Sequence, residues 1–455
     1  MIQRHPTLVG VLSIALAALL PAAPATAQKD PTHNPSHHIE EIIVTAPLHK
    51  ARSETVYAVD VLAGDALAEE AAATIGEVLA ARPGISSASF GPAVGVPVIR
   101  GQGANRVRVL TGSLGLFDAA DLGPDHAVAA DPLLVERIEV IRGPATLLYG
   151  SGAIGGVVNL LDGRIPENIP ATTSGSFVQK HSTASDENLS AFILDGAEGQ
   201  LAWHLDGLLG ARNDMELPGH SMDLENSNGR RRNGAAGLSW IGDRGFVGLS
   251  ASRLDNRYAV PGVHGHSDHA DGAEGETGVT TDIASQRYEL RAELFQPFGH
   301  FRSIRAKAAW NDFAQIEYEG LETGTSYSNR GWEARVELPH RHGKNWHGVL
   351  GIHAIDRNYL APASGGLLPP SSFRSMAVFA VEDLHHGDWL FEAGGRFEDH
   401  VSETESGNRR SDGLLSFSLA GLRQSGPMDT LSFILSRAER APTVVELFAE
   451  GEHHG

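Results

Sequence analysis

The sequence predicts a transmembrane antiparallel β-barrel with an α+β domain on its N-terminal side. Three observations predict it: a secretory signal, a compact turn-rich segment behind it, and long stretches of period-2 alternation through the rest of the chain. The organisation expected is a signal peptide at 1–27, a linker at 28–47, the α+β domain at 48–165 and barrel strands at 170–455.

Residues 1–27 open on Arg4 and His5, continue with an apolar run from Leu8 to Leu20 and close on Ala25-Thr26-Ala27, the small-residue pattern of a cleavage site. That run is shorter than the roughly 20 residues a spanning helix needs. A polar stretch from Lys29 to His38 follows, then the β-branched run Glu41-Ile42-Ile43-Val44-Thr45-Ala46, suited to an extended segment. Thr74-Ile75-Gly76-Glu77 has the form of a capping box, with Ile75, Val78 and Leu79 on one helical face and Pro83-Gly84 as the stop. Strands are expected at Val96–Arg100, Arg106–Leu110 and Val135–Ile141, a helix start at Pro144, and a further strand at Val157–Leu161. Gly150 to Gly155 matches G-x-G-x-x-G, but that fingerprint must follow a strand and open a helix, and here the order is reversed. These glycines are read as backbone turns.

From about residue 174 apolar and charged residues alternate. Tyr288, Leu290, Ala292 and Leu294 interleave with Arg287, Glu289, Arg291 and Glu293; Trp332, Ala334, Val336 and Leu338 interleave with Glu333, Arg335 and Glu337. Leu201 to Leu209 and Trp389 to Phe397 repeat the scheme. Connections at Gln296–His300 and Leu384–Asp388 read as short, those at Asn256–Ser285 and Glu319–Asn329 as long. Short turns on one side, long loops on the other and one apolar face describe an outer-membrane barrel better than a soluble sandwich. At roughly 20 residues per strand with its connection, the segment makes about 14 strands, whereas a lumen holding a folded domain suits about 22. A partial barrel is therefore expected.

Composition narrows the function. With 36 basic and 56 acidic residues the net charge is −20, which argues against a nucleic-acid partner and favours cations. The 455 residues include 22 histidines and no cysteine, so a transition-metal site must use His, Asp or Glu. No G-x-S-x-G or H-E-x-x-H motif is present, so no enzyme and no catalytic cofactor is expected; a secreted metallohydrolase is the remote alternative.

These residues together resemble the TonB-dependent outer-membrane receptors. Glu41, Ile42, Ile43, Val44, Thr45 and Ala46 resemble the TonB box. Ile99-Arg100-Gly101, the run from Val135 to Pro144 and the run from Leu148 to Asn159 resemble the plug signatures. Within the family the chain is most similar to the zinc-uptake branch: Pro124-Asp125-His126-Ala127 precedes Asp131-Pro132-Leu133-Leu134, and Arg440-Ala441-Pro442 with Glu446-Leu447 resembles a barrel motif of zinc and haem receptors. Where that branch carries Gly-Pro-His, this chain reads Gly451-Glu452-His453, without the proline.

The resemblance implies an outer-membrane location, TonB in the periplasm as partner, lipid around the barrel and a monomer. It also implies import of a divalent metal, zinc first, through Asp125 and His126 of the plug completed by Glu317 or Glu319 and His453 or His454 of the barrel. Zinc without cysteine needs about four N or O donors, which these residues supply. A second candidate set, His264, His266, Asp268, His269 and Asp271, lies on a Gly-rich loop suited to metal capture. The alternative cargoes are haem, a siderophore, or nickel, copper or cobalt complexes, since ligand type alone does not name the metal. His340, His342, His385 and His386 are read as periplasmic turns, and His33, His37 and His38 as part of the linker.

Overall fold

The computed structural model describes residues 42–43, 50–51, 54–70, 72–120, 122–123, 126–143, 145–219, 222–264, 278–320, 322–361, 368–424 and 430–449. The signal peptide and most of the linker, Glu41, Val44, Thr45, Ala46, Asp125, His266, Asp268, His269, Asp271, His453 and His454 lie outside them, as does the side chain of His264.

The plug begins with the paired short strands β1 (Ile42–Ile43) and β2 (Lys50–Ala51). Next come β3 (Ala58–Ala63), α1 (Gly64–Glu69), α2 (Ile75–Ala80), β4 (Ile85–Ser89) and β5 (Gly95–Ile99). Then follow β6 (Val107–Thr111), β7 (Leu114–Gly115), β8 (Arg137–Arg142), the single turn α3 (Thr146–Tyr149) and β9 (Gly156–Leu161). Strands β3, β8, β9, β6 and β7 form one sheet in that order, with β6 and β9 parallel. Helix α2 starts where the sequence places it, with the Thr74 hydroxyl accepting from Glu77 N at 3.2 Å. Its Ile75, Val78 and Leu79 close a core with Ile138, Val140, Val158 and Leu160. Strands β3 and β4 and helix α1 were not foreseen; each is short, and none carries a strong period of its own.

The second part is a 13-stranded antiparallel sheet. Its strands are β10 (Ser174–Ser182), β11 (Glu187–Glu198), β12 (Leu201–Arg212), β15 (Gly229–Gly242), β16 (Gly245–His264), β17 (Gly278–Phe295), β18 (Ser303–Glu319) and β19 (Glu322–His342). It continues through β20 (Trp346–Ala361), β21 (Leu368–His386), β22 (Trp389–Thr404), β23 (Arg409–Gln424) and β24 (Thr430–Arg437), each strand paired to its sequence neighbour. A small hairpin, β13 (Met215–Glu216) with β14 (Asp223–Leu224), fills the connection between β12 and β15.

Period-2 alternation places the side chains as read. Arg287, Glu289 and Arg291 turn inward and are buried, while Tyr288, Leu290 and Leu294 face out. Tyr288, Trp310 and Trp332 stand in register across β17 to β19 and form an outward aromatic row. Beyond that row the outward positions become charged, in the pairs Asp312–Arg330 and Asp356–Arg374. That change marks the outer limit of the apolar band.

Both connections expected to be long contract. Strand β16 runs on to His264 because Tyr258 and Val260 still turn inward onto plug residues Ala119 and Ala127. The supposed loop at 319–329 is a tight hairpin: Gly320 takes a left-handed φ of 63°, and Tyr327 and Asn329 are buried lumen residues of β19. His340, His342, His385 and His386 are the last residues of β19 and β21 on the short-turn side, not residues of the turns themselves. Helix α4 (Val444–Phe448) was missed, although Thr443 and Glu446 make a complete capping box that the sequence spells out. Arg440 grips Glu446 with two bonds of 2.7 Å and holds its carboxyl down at about 2.

Leu249 lies between Leu238 and Leu290 on the outward face. Leu249→Arg is expected to lower stability in phospholipid bilayers by about 2–4 kcal/mol, the cost of a cation near the midplane. Urea unfolding in vesicles measures it; a cost near zero would mean that this face does not meet lipid.

Candidate functional site

The plug is seated by polar contacts that the barrel sends inward. Glu333 of β19 accepts from Gly115 N at 2.9 Å, pairs with Arg108 at 3.1 Å and meets His353 of β20 at 2.8 Å. Arg287 donates to Gly115 O at 2.6 Å, and Arg335 donates to Leu148 O. Lys307 donates to Gly112 O at 3.2 Å. Gly112 has a φ of 58° and a backbone so close to the Arg291 guanidinium that a Cβ there would collide with it.

On the long-loop side, the plug segment after β7 presents His126 to the wall. Asp118 organises that segment by accepting from Ala120 N at 3.3 Å and Ala129 N at 2.9 Å. Ala127 N donates to the Tyr258 hydroxyl at 3.3 Å. The His126 side chain is fully buried, and its Nδ1 accepts from Gln315 Nε2. The same amide donates to Glu317 Oε1 at 3.1 Å, and that carboxylate stands 3.6 Å from His126 Nδ1. The Tyr327 ring meets the imidazole edge-on at 5.3 Å. Gln315 Oε1 is buried and has no hydrogen-bond partner among the described residues.

Tyr327 also belongs to an apolar cluster with Phe117, Ile355 and Phe373. A cavity between plug and wall opens there, lined among others by Phe117, Arg357, Tyr359, Phe373 and His400. Arg357 lies over the rings of Phe117, Tyr359 and Phe373 at 5.2, 5.0 and 4.8 Å. His126 and Glu317 do not themselves line that space; Tyr327 joins them to it, its ring against His126 on one side and in the cluster with Phe117 and Phe373 on the other. Imidazole and carboxylate are able to ligate a metal ion, and imidazole or phenol the iron of a planar complex.

Of the residues singled out from the sequence, His126 and Glu317 come together. Glu319 lies on the same face of β18, one step further from the short turns. Gln315, Tyr258 and Tyr327 were missed; Gln315 shares inward parity with Glu317, a signal the alternation does carry. Ile43, in the run resembling a TonB box, is fully buried among Val59, Leu110 and Ile141. Nearby, Lys50 ties the β1–β2 pair to the wall through Asp383 at 2.6 Å and Glu392 at 2.7 Å.

Two sequence profiles match: one described as the TonB-dependent receptor plug domain over residues 51–157, and one as the TonB-dependent receptor-like β-barrel over residues 202–455. A hemin receptor of Yersinia pestis is 38% identical over 150 residues, which is 32% of this chain and 22% of that protein. An iron-regulated outer membrane virulence protein of Vibrio cholerae is 25% identical over 240 residues, 45% of this chain and 36% of that one. This chain therefore matches these curated relatives over about a fifth to a third of their length. Among solved structures, the Serratia marcescens hemophore receptor HasR, in complex with its hemophore HasA and heme, aligns with a TM-score of 0.74 at 15% identity, covering 88% of this chain and 66% of that one. The copper transporter OprC aligns with a TM-score of 0.70 at 16% identity, covering 83% and 62%. At these identities the structures establish the fold alone.

Lys50→Met is expected to leave Asp383 and Glu392 buried without their cation, at a cost of about 3–5 kcal/mol. The variant should expose the Ile42–Ile43 strand to proteinase K sooner than the wild type. Equal digestion rates would mean that Lys50 does not hold that strand.

Proposed function

The chain belongs to the TonB-dependent receptor family, a family of outer-membrane proteins, and on that premise we propose that it imports a metal complex, with haem as the favoured cargo. The observation that carries the reading is the plug imidazole of His126 set against the Tyr327 phenol, beside a cavity walled by Phe117, Tyr359 and Phe373. Haem iron takes a histidine or tyrosine as axial ligand, and its macrocycle needs an apolar slot. Arg357, stacked on three of those rings, supplies a guanidinium for a propionate. The similarity to hemin receptors supports the same choice over zinc.

Zinc is the second reading, and a specific observation favours it. Glu317 places a carboxylate oxygen 3.6 Å from His126 Nδ1, with the unpartnered Gln315 Oε1 close by. An imidazole nitrogen and a carboxylate oxygen are donors that suit a bare divalent cation. In either case the chemistry is transport, with no covalent step.

TonB would engage the segment containing Ile42 and Ile43 by adding a strand to it, so that main-chain bonds carry the pull. Since Ile43 is buried in the plug core, that engagement requires the β1–β2 pair to leave its seat. Cargo release to the periplasm follows from the same displacement of the plug.

The test is titration of the purified full chain with haem, read by the Soret band, and with Zn²⁺, read by calorimetry. One equivalent of haem should bind with a shifted Soret band, and His126→Ala should weaken it at least tenfold. Absence of haem binding, together with Zn²⁺ binding that His126→Ala removes, would overturn haem in favour of zinc.

A further inference from the structure

A second donor cluster lies at the opposite, short-turn end of the plug–barrel interface. Glu136 of the plug, Asp195 of β11 and His204 of β12 bring one ligand atom each to within 4.8 Å of one another, the one such His and carboxylate group among the described residues. Asp195 and His204 are register partners three positions before the tight turn that joins their strands. Glu136 stands just before β8, on the plug edge that faces them, and is exposed at the mouth.

The hydrogen bonding of His204 is unusual. The ring is fully buried, and both nitrogens face carboxylates: Nε2 meets Asp206 at 3.1 Å, and Nδ1 meets Asp195 at 2.8 Å. Asp206 is itself fixed by Arg164 through bonds of 2.6 and 3.1 Å. An imidazole whose Nε2–H is given to an anchored carboxylate presents a lone pair at Nδ1, the arrangement that orients most metal-ligating histidines. A lone pair and a carboxylate oxygen at 2.8 Å are bridged by a proton, and a metal ion that replaces it needs the two donors to move slightly apart.

We propose that Glu136, Asp195 and His204 bind one divalent transition cation of the zinc class, bridging the plug to the barrel wall at the periplasmic end. Three N and O donors with a fourth position open to water match the coordination such ions take. Asp206 is the positioning residue, and the exposed Glu136 gives the ion its way in. Arg164 neutralises Asp206, so the charge of Glu136 and Asp195 remains for the ion. Bound there, the cation ties the plug, just before β8, to the β11–β12 hairpin of the wall, a clamp to be opened when the plug moves. The site lies apart from His126, and the inference holds for either cargo.

The test uses the full chain, stripped with a chelator and titrated with Co²⁺ alone, read by its visible absorption bands. His126→Ala serves as the background, so that the first site is silent and the other histidine-rich segments contribute equally to every variant. Adding Glu136→Gln and Asp195→Asn should remove one equivalent of bound Co²⁺ or weaken it at least tenfold. Asp206→Asn, which touches no metal, should weaken it by about 10–100-fold. Heat-modifiable migration on gels verifies that each barrel is folded; Glu136→Gln alone, at an exposed position, provides a variant with little to disturb. Equal Co²⁺ binding in the background and in all three variants would overturn the proposal and leave a proton between His204 and Asp195. Equal Co²⁺ binding by wild type and His126→Ala, with loss in the Glu136 and Asp195 variant, would count against metal at the first site while supporting this one.

Discussion

The structure depends on one constraint: the barrel turns charged side chains into a lumen from which the plug excludes water. Each inward charge must then be met by an opposite charge or by plug backbone. Glu333, shared by Arg108, His353 and the Gly115 amide, and Arg287, shared by two plug carbonyls and Asn311, show how the demand is met. Such buried pairs add little net stability compared with apolar packing, but removing one partner is costly. They fix where the plug sits. These polar contacts stand beside apolar ones between plug and wall, such as Ile43 with Val349 and Val381.

The same constraint separates the two ends of the interface. On the long-loop side, apolar plug residues such as Phe117 and Ala119 meet aromatic wall residues, and the plug imidazole of His126 and the wall imidazole of His400 are set among them. On the short-turn side ion pairs, through Lys50 with its two carboxylates and through Arg164, Asp206 and His204, stand beside apolar packing such as Val56 with Leu390 and Leu422. This polarity follows from sequence, because inward parity along each strand decides which residues face the plug.

Much of the architecture was legible. Period-2 alternation gave the strands their faces, since Tyr288, Leu290 and Leu294 point out while Arg287, Glu289 and Arg291 point in. Thr74 and Glu77 located α2, and the glycines after Tyr149 were turns rather than a phosphate cradle. Loop lengths were misread because polar residues such as Asn256, Arg257 and Asn329 looked like loop residues, whereas in a barrel they are lumen or outer-rim residues of continuing strands. The site was half legible. His126 was singled out by its motif and Glu317, with Glu319 as its alternative, as a residue at the start of a supposed loop, but the partnership of Gln315, Tyr327 and Arg357 depends on strand register across β18, β19 and β20, which no local pattern encodes. The pairing of Glu136 with His204 is of the same kind, joining plug to wall across a long stretch of chain.

The central claim is that plug and wall bind the cargo jointly through His126 and Tyr327. A double-mutant cycle on haem affinity, with His126→Ala, Tyr327→Phe and the pair, addresses it most directly. A shared site predicts non-additive losses, with a coupling of about 0.5–3 kcal/mol between the two positions. Strictly additive losses, or haem affinity that neither substitution changes, would contradict it.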